Sequence, residues 1–151
     1  MRPDTEKKEN QKNMELRKIV PDFERWPNSW MGPQEDLEYG KKILPIMEEF
    51  IQHLITQKLS RKTLKTYIDN VWVLGGTIIR NVSIYKWHKK DPWKKILEEV
   101  ESGGCLPDHY DSMSEEELAS FETMCKGFEK FLKKLSNEGS TDAEKNTKRN
   151  L

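Results

Sequence analysis

Two cysteines, three histidines and no long apolar run mark what is scarce in this chain, and each scarcity removes a class of protein. Cys105 and Cys125 build no disulfide framework. A pair in 151 residues fits a reduced, cytoplasmic setting, and a single disulfide between them stays open. A bilayer span needs about 20 consecutive apolar residues. No stretch approaches that length, so no membrane association is expected. His53, His88 and His109 are scattered. Cys105 and His109 stand four apart, but no second ligand pair follows at zinc spacing, so neither a metal nor a cofactor is expected. Asp108, His109 and Asp111 read as a polar loop. The glycine loop that cradles phosphates, the nucleophile elbow and the H-E-x-x-H pair are all missing, so no catalytic residue is expected.

The first residues, MRPDTEKKENQKNMELRK, are charged throughout and lack the apolar core of a signal peptide, which points to the cytoplasm. Residues 1–18 and 136–151 are too polar to bury the area that would offset their ordering entropy, so both read as mobile tails. Between them, residues 19–135 form one domain of ordinary size.

Charge is balanced in total, with 26 basic and 26 acidic residues, but not along the chain. Lys58 to Lys90 carries eight basic residues against Asp69 alone, a block of +7. Asp91 to Leu135 carries eleven acids against six bases, a block of −5. A block of one sign can hold an anion even when the sum is zero.

The spacing of apolar residues predicts an all-α chain, a compact bundle of four or five helices. Val20 to Trp30, with two prolines and three aromatics, reads as an extended arm laid on the core. A helix begins near Pro33. Gly40 and Pro45 interrupt it, and Pro45 either kinks it or opens a second helix. Met47, Phe50, Ile51, Leu54 and Ile55 then form an apolar stripe. The next helix runs from Arg61 to about Asn81 behind a Ser60 cap. It contains Gly75 and Gly76, which call for a close neighbour to offset about 1 kcal/mol each. Val82 to Trp87 is the one candidate strand. Asp91 and Pro92 open a short helix, and Gly103-Gly104 end it. Ser114 and Glu117 form a capping box for the last helix, which carries Leu118, Phe121, Met124, Phe128, Phe131 and Leu132 on one side.

Three basic groups remain. At the start of the Arg61 helix, Ser60 and Thr63 offer hydroxyls, and Arg61, Lys62 and Lys65 offer charge beside a positive helix end. That arrangement suits DNA phosphates. Alternatively it is a capped helix with a solvated first turn, although cations there oppose the macrodipole. Arg80, Lys86, His88, Lys89 and Lys90 are interleaved with Tyr85 and Trp87. This pattern either stacks single strands or is a solvated connection with aromatics packed inward. Lys126, Lys130, Lys133 and Lys134 lie on the polar side of the last helix, where they either flank DNA or favour the helix end.

The segment FIQHLITQKLSRKTLKTYIDNVWVLGG resembles the first two helices of the core-binding domain of tyrosine recombinases and phage integrases. The residues that carry the likeness are Phe50, Leu54, Leu59, Ser60, Thr63, Tyr67, Val71 and Leu74. SFETMCKGFEKFLKKL, with Phe131-Leu132, looks like that family's fourth helix, so the likeness covers residues 45–135. The wider pattern also resembles a group of uncharacterised bacterial proteins of this size. The recombinase resemblance implies a SAM-like orthogonal bundle that clamps duplex DNA. Its contacts would come from Ser60, Arg61, Lys62, Thr63, Lys65 and Thr66 on one helix and from Lys126 and Lys130 on another. The family's chemistry uses a separate domain with a tyrosine nucleophile. This chain has no His-x-x-Arg and no tyrosine after Tyr110, so the resemblance implies no strand cleavage. Two expectations follow. One is a non-catalytic module that binds double-stranded DNA. The other is a protein-interaction or structural module with the same fold, using the aromatic arm of Phe23, Trp26 and Trp30 or the charged tails.

Overall fold

The structure is a computed structural model and describes residues 15–30, 32–101, 104–107 and 110–139. Among the described residues it is all-helical, with no strand. The elements are α1 (residues 15–19), a 3-10 turn at Phe23–Arg25, α2 (Trp26–Ser29), α3 (Gln34–Ile55), α4 (Arg61–Tyr85), α5 (Pro92–Val100), a 3-10 turn at Tyr110–Ser112, and α6 (Glu115–Gly139). α4 packs on α3 and on α6, while α5 bridges α3 and α6 from the side.

The long helices start where side chains meet their orphan amide groups. Ser60 Oγ accepts from the Thr63 N–H at 3.1 Å, and Asp91 Oδ2 accepts from the Lys94 N–H at 3.0 Å. At α6 the capping box is complete: Glu117 N–H donates to Ser114 Oγ and Ser114 N–H donates to Glu117 Oε1, both at 3.0 Å. α3 continues through Pro45 as one helix. Pro45 lies on the exposed face, so the carbonyl it cannot bond is open to water, which makes the break affordable. Gly40 does not interrupt the helix either. Pro27 and Trp30 of the N-terminal segment pack against it.

The core is built from the predicted stripes. Ile43, Met47, Phe50 and Ile51 of α3 meet Val71, Leu74 and Ile78 of α4 and Phe121, Met124, Phe128 and Leu132 of α6, all essentially without solvent exposure. Phe50 and Phe128 stack at 4.2 Å with planes 12° apart. Asn70 Nδ2 donates to Ser120 Oγ at 2.9 Å and ties α4 to α6.

Four further expectations need correction. The N-terminal tail does not reach residue 18: residues 15–19 are helical, Leu16 is fully buried, and Arg17 bridges Glu24 at 2.8 Å and Glu48 at 3.5 Å. The leucine supplies the burial that composition averaging concealed; residues 1–14 lie outside the described part. Similarly, residues 136–139 continue α6, and 140–151 lie outside. The aromatic arm is not extended. It is a 3-10 turn followed by a helical turn, with Phe23 and Trp26 buried. Val82 to Trp87 is not a strand, because α4 runs on to Tyr85 and Val82 is its last buried contact. Of the Gly103-Gly104 stop, Gly104 takes φ +96° and Gly103 lies outside the described residues. Asp108 and His109 also lie outside, so the polar loop they were read into is not described.

Candidate nucleic-acid interface

Leu59 and Lys58 close the turn between α3 and α4. Lys58 takes a left-handed φ of 55°, and the chain reverses there within a few residues. α4 therefore begins at the surface while Leu64, Ile68 and Val71 of the same helix enter the core. The helix axis is fixed from behind, and its first turn faces out.

Ser60, Arg61, Lys62, Thr63, Lys65 and Thr66 are all exposed. The Ser60 hydroxyl is engaged locally: it donates to Thr63 Oγ1 at 2.9 Å while accepting the Thr63 N–H. Thr66 Oγ1 donates to the Lys62 carbonyl at 3.0 Å. Among the described residues, Arg61, Lys62 and Lys65 form no ion pair. Asp69, one turn beyond Lys65, carries the opposite sign. Burial raises its carboxyl above the usual value, and the Lys65 ammonium opposes that rise.

The α6 cations are divided. Gly127 faces Tyr67 of α4, with 3.8 Å to a Cβ position there, so Lys126 and Lys130 lie within one turn of the α4–α6 contact. Lys126 is paired with Glu122 at 3.3 Å, and Lys133 with Glu129 at 2.8 Å. Lys130 makes no ion pair among the described residues and is exposed. The bundle thus brings the two predicted helices side by side, with one of the two α6 lysines already held by a carboxylate.

Beside the α4 start runs a groove of about 890 Å³ between the N-terminal segment and α4. Ile19, Leu64, Ile68 and Trp72 form its apolar lining. It is lined by both signs, Lys18, Arg61 and Lys65 together with Glu15, Asp22 and Asp69. Sequence reasoning missed this groove because Glu15 and Lys18 of its N-terminal wall fall in the segment assigned to the tail, and Val20, Asp22 and Trp26 fall in the stretch expected as an extended arm rather than as helical turns standing off α4.

A second unforeseen feature is Lys95. Helical spacing places it on the buried side of α5, 3% exposed, with Glu99 at 2.8 Å and Trp87 beneath its ammonium at 3.8 Å. The Glu four residues after Lys95 was the available signal. His88 Nε2 lies 2.6 Å from Oδ1 of the buried Asp36, pinning the α4–α5 connection to the start of α3. Among the described residues no group of three His, Cys, Asp or Glu side chains could hold a metal, and no helix is long and apolar enough to cross a membrane. No family model, curated protein or solved structure matches the chain.

Proposed function

We propose that the protein is a non-catalytic DNA-binding module with a SAM-like fold of the integrase core-binding type, which grips duplex phosphates with the first turns of α4. One observation carries the reading. Arg61, Lys62 and Lys65 are exposed and free of ion pairs among the described residues, on a capped helix whose remainder is anchored in the core. Cations at a helix N-terminus oppose the macrodipole, so stability does not explain them, whereas a polyanion does. Lys130 extends the footprint; Lys126 joins only by releasing Glu122.

Fluorescence anisotropy with a generic duplex tests the reading. Four phosphate contacts predict affinity about 100-fold weaker at 200 mM than at 50 mM salt. Reversing Arg61, Lys62 and Lys65 to glutamate should remove binding without lowering Tm. A reversed protein that binds like the parent would show that the site lies elsewhere.

The groove favours a second reading, a protein-interaction module. Its apolar lining and mixed-sign rim suit peptide side chains better than phosphates. Under that reading, duplex binding is absent at both salt concentrations.

A further inference from the structure

We propose that the corner joining α4 to α5 is a stacking site for the unpaired bases of single-stranded nucleic acid, with Tyr85 as platform and Lys86 and Lys89 as phosphate contacts. This does not rest on the duplex reading, because the corner lies at the other end of α4, about 36 Å away at 1.5 Å per residue.

The backbone builds the platform. α4 stops at Lys86, which takes the left-handed conformation (φ 56°). The Trp87 N–H then bonds back to the Val82 carbonyl at 2.9 Å. That reversal lays the Trp87 indole against the Tyr85 ring, with centroids 4.6 Å apart and planes 22° apart. Trp87 is held in turn by two ammoniums, Lys95 at 3.8 Å and Lys90 at 4.1 Å from its ring. Lys95 is itself fixed by Glu99. Tyr85 is therefore a supported ring, yet it remains 59% exposed, and Ile84 beside it is 57% exposed. The aromatics do not both pack inward.

Charge selects the ligand. Lys86 and Lys89 are exposed and make no ion pair among the described residues. They line, with Trp87 and His88, a hollow of about 410 Å³ in which Glu35 is the single carboxylate, lying 3.8 Å from His88 Nδ1. Trp87 lines this hollow and Tyr85 does not, so a base stacked on the exposed Tyr85 ring would pass its phosphates across the ring pair to the hollow's cations. A duplex hides its base faces, and a lone nucleotide cannot engage cations spread along the corner. A preformed ring also loses little freedom on binding.

The test uses fluorescein-labelled oligothymidylate at low salt, measured with the full chain and with the protein reversed at Arg61, Lys62 and Lys65, which lacks the cationic cluster at the α4 start. In both backgrounds Tyr85→Ala should weaken binding about tenfold, and Tyr85→Phe should restore it to within about twofold. Lys86→Asn with Lys89→Ala should lower the salt slope by about 1.4, asparagine being tolerated at the left-handed position. Each variant should melt like its parent. The proposal is overturned if the parent does not bind the strand, if Tyr85→Ala binds as the parent does, or if thymidine monophosphate competes as well as the strand.

Discussion

Gly75 lies against the Trp30 indole, and a Cβ there would overlap its six-membered ring. The ring cannot easily withdraw, because Trp30 Nε1 donates to the Trp72 carbonyl at 3.1 Å and Trp72 Nε1 donates to Ser29 Oγ at 2.9 Å. Gly75→Ala should therefore cost about 1–3 kcal/mol by overpacking, read as a fall in the urea midpoint. Gly76 is different, since its Cβ would sit 3.3 Å from Trp30 Cδ1. There the gain in helix propensity, about 1 kcal/mol, opposes a small shift of the ring, and Gly76→Ala should leave the midpoint nearly unchanged. Lys95 offers a second residue-level test. Lys95→Ala strands the half-buried Glu99 carboxylate and uncovers Trp87, and should cost about 3 kcal/mol. The exposed neighbour changed in Lys94→Ala should cost under about 0.5 kcal/mol. Burial also pushes the Cys125 thiol up to about 12 and raises Cys105, which Glu99 pushes further. Both should react with a thiol reagent at pH 8 far more slowly in the folded chain than in urea.

Elements respond through their ends and their packing. The α6 capping box satisfies two amides reciprocally, so Ser114→Ala should lower stability by about 1 kcal/mol in thermal melts. α3 and α6 meet at His53, whose ring lies 5.0 Å from Phe131. Burial, reinforced by the Lys134 ammonium, holds this imidazole below its usual value. The unfolded chain then binds more protons than the folded one. The stability linked to His53 is present above about pH 6.5 and is lost as pH falls through the lowered folded value. The parent's Tm should drop more between pH 7 and pH 5 than that of His53→Gln. Equal drops would remove His53 from the acid response.

At the scale of the molecule, the +7 block of the sequence does not become one surface. α4 separates it into a cluster at its start, Arg61, Lys62 and Lys65, and another past its end, Lys86, Lys89 and Lys90. Carboxylates temper what lies between: Glu122 and Glu129 hold α6 lysines, and Asp69 follows Lys65. A duplex bound by Arg61, Lys62, Lys65 and Lys130 should show a salt slope of about −4. A slope of about −6 would mean that Lys86, Lys89 and Lys90 engage the same ligand.

Local rules were enough for the helices themselves. The positions of Ser60, Asp91 and Ser114 and the stripes through Met47–Leu54, Leu64–Ile78 and Phe121–Leu132 follow from orphan amides and from a period of 3.6 residues, and both act within one turn. The exposure of the Ser60 corner also follows, because those residues fall off the apolar stripe. What lay beyond local rules depended on partners distant in sequence. Leu16 recruits residues 15–19 into the fold, and Trp30 occupies the space that Gly75 leaves. Lys95 supports Trp87 beneath an exposed Tyr85, whereas the Glu122 that holds Lys126 stands four residues before it and was within reach of local rules. Spacing along a helix says which face a side chain shares. Only packing between helices says what stands opposite it, and that decides whether a cation or an aromatic ring is left for a ligand.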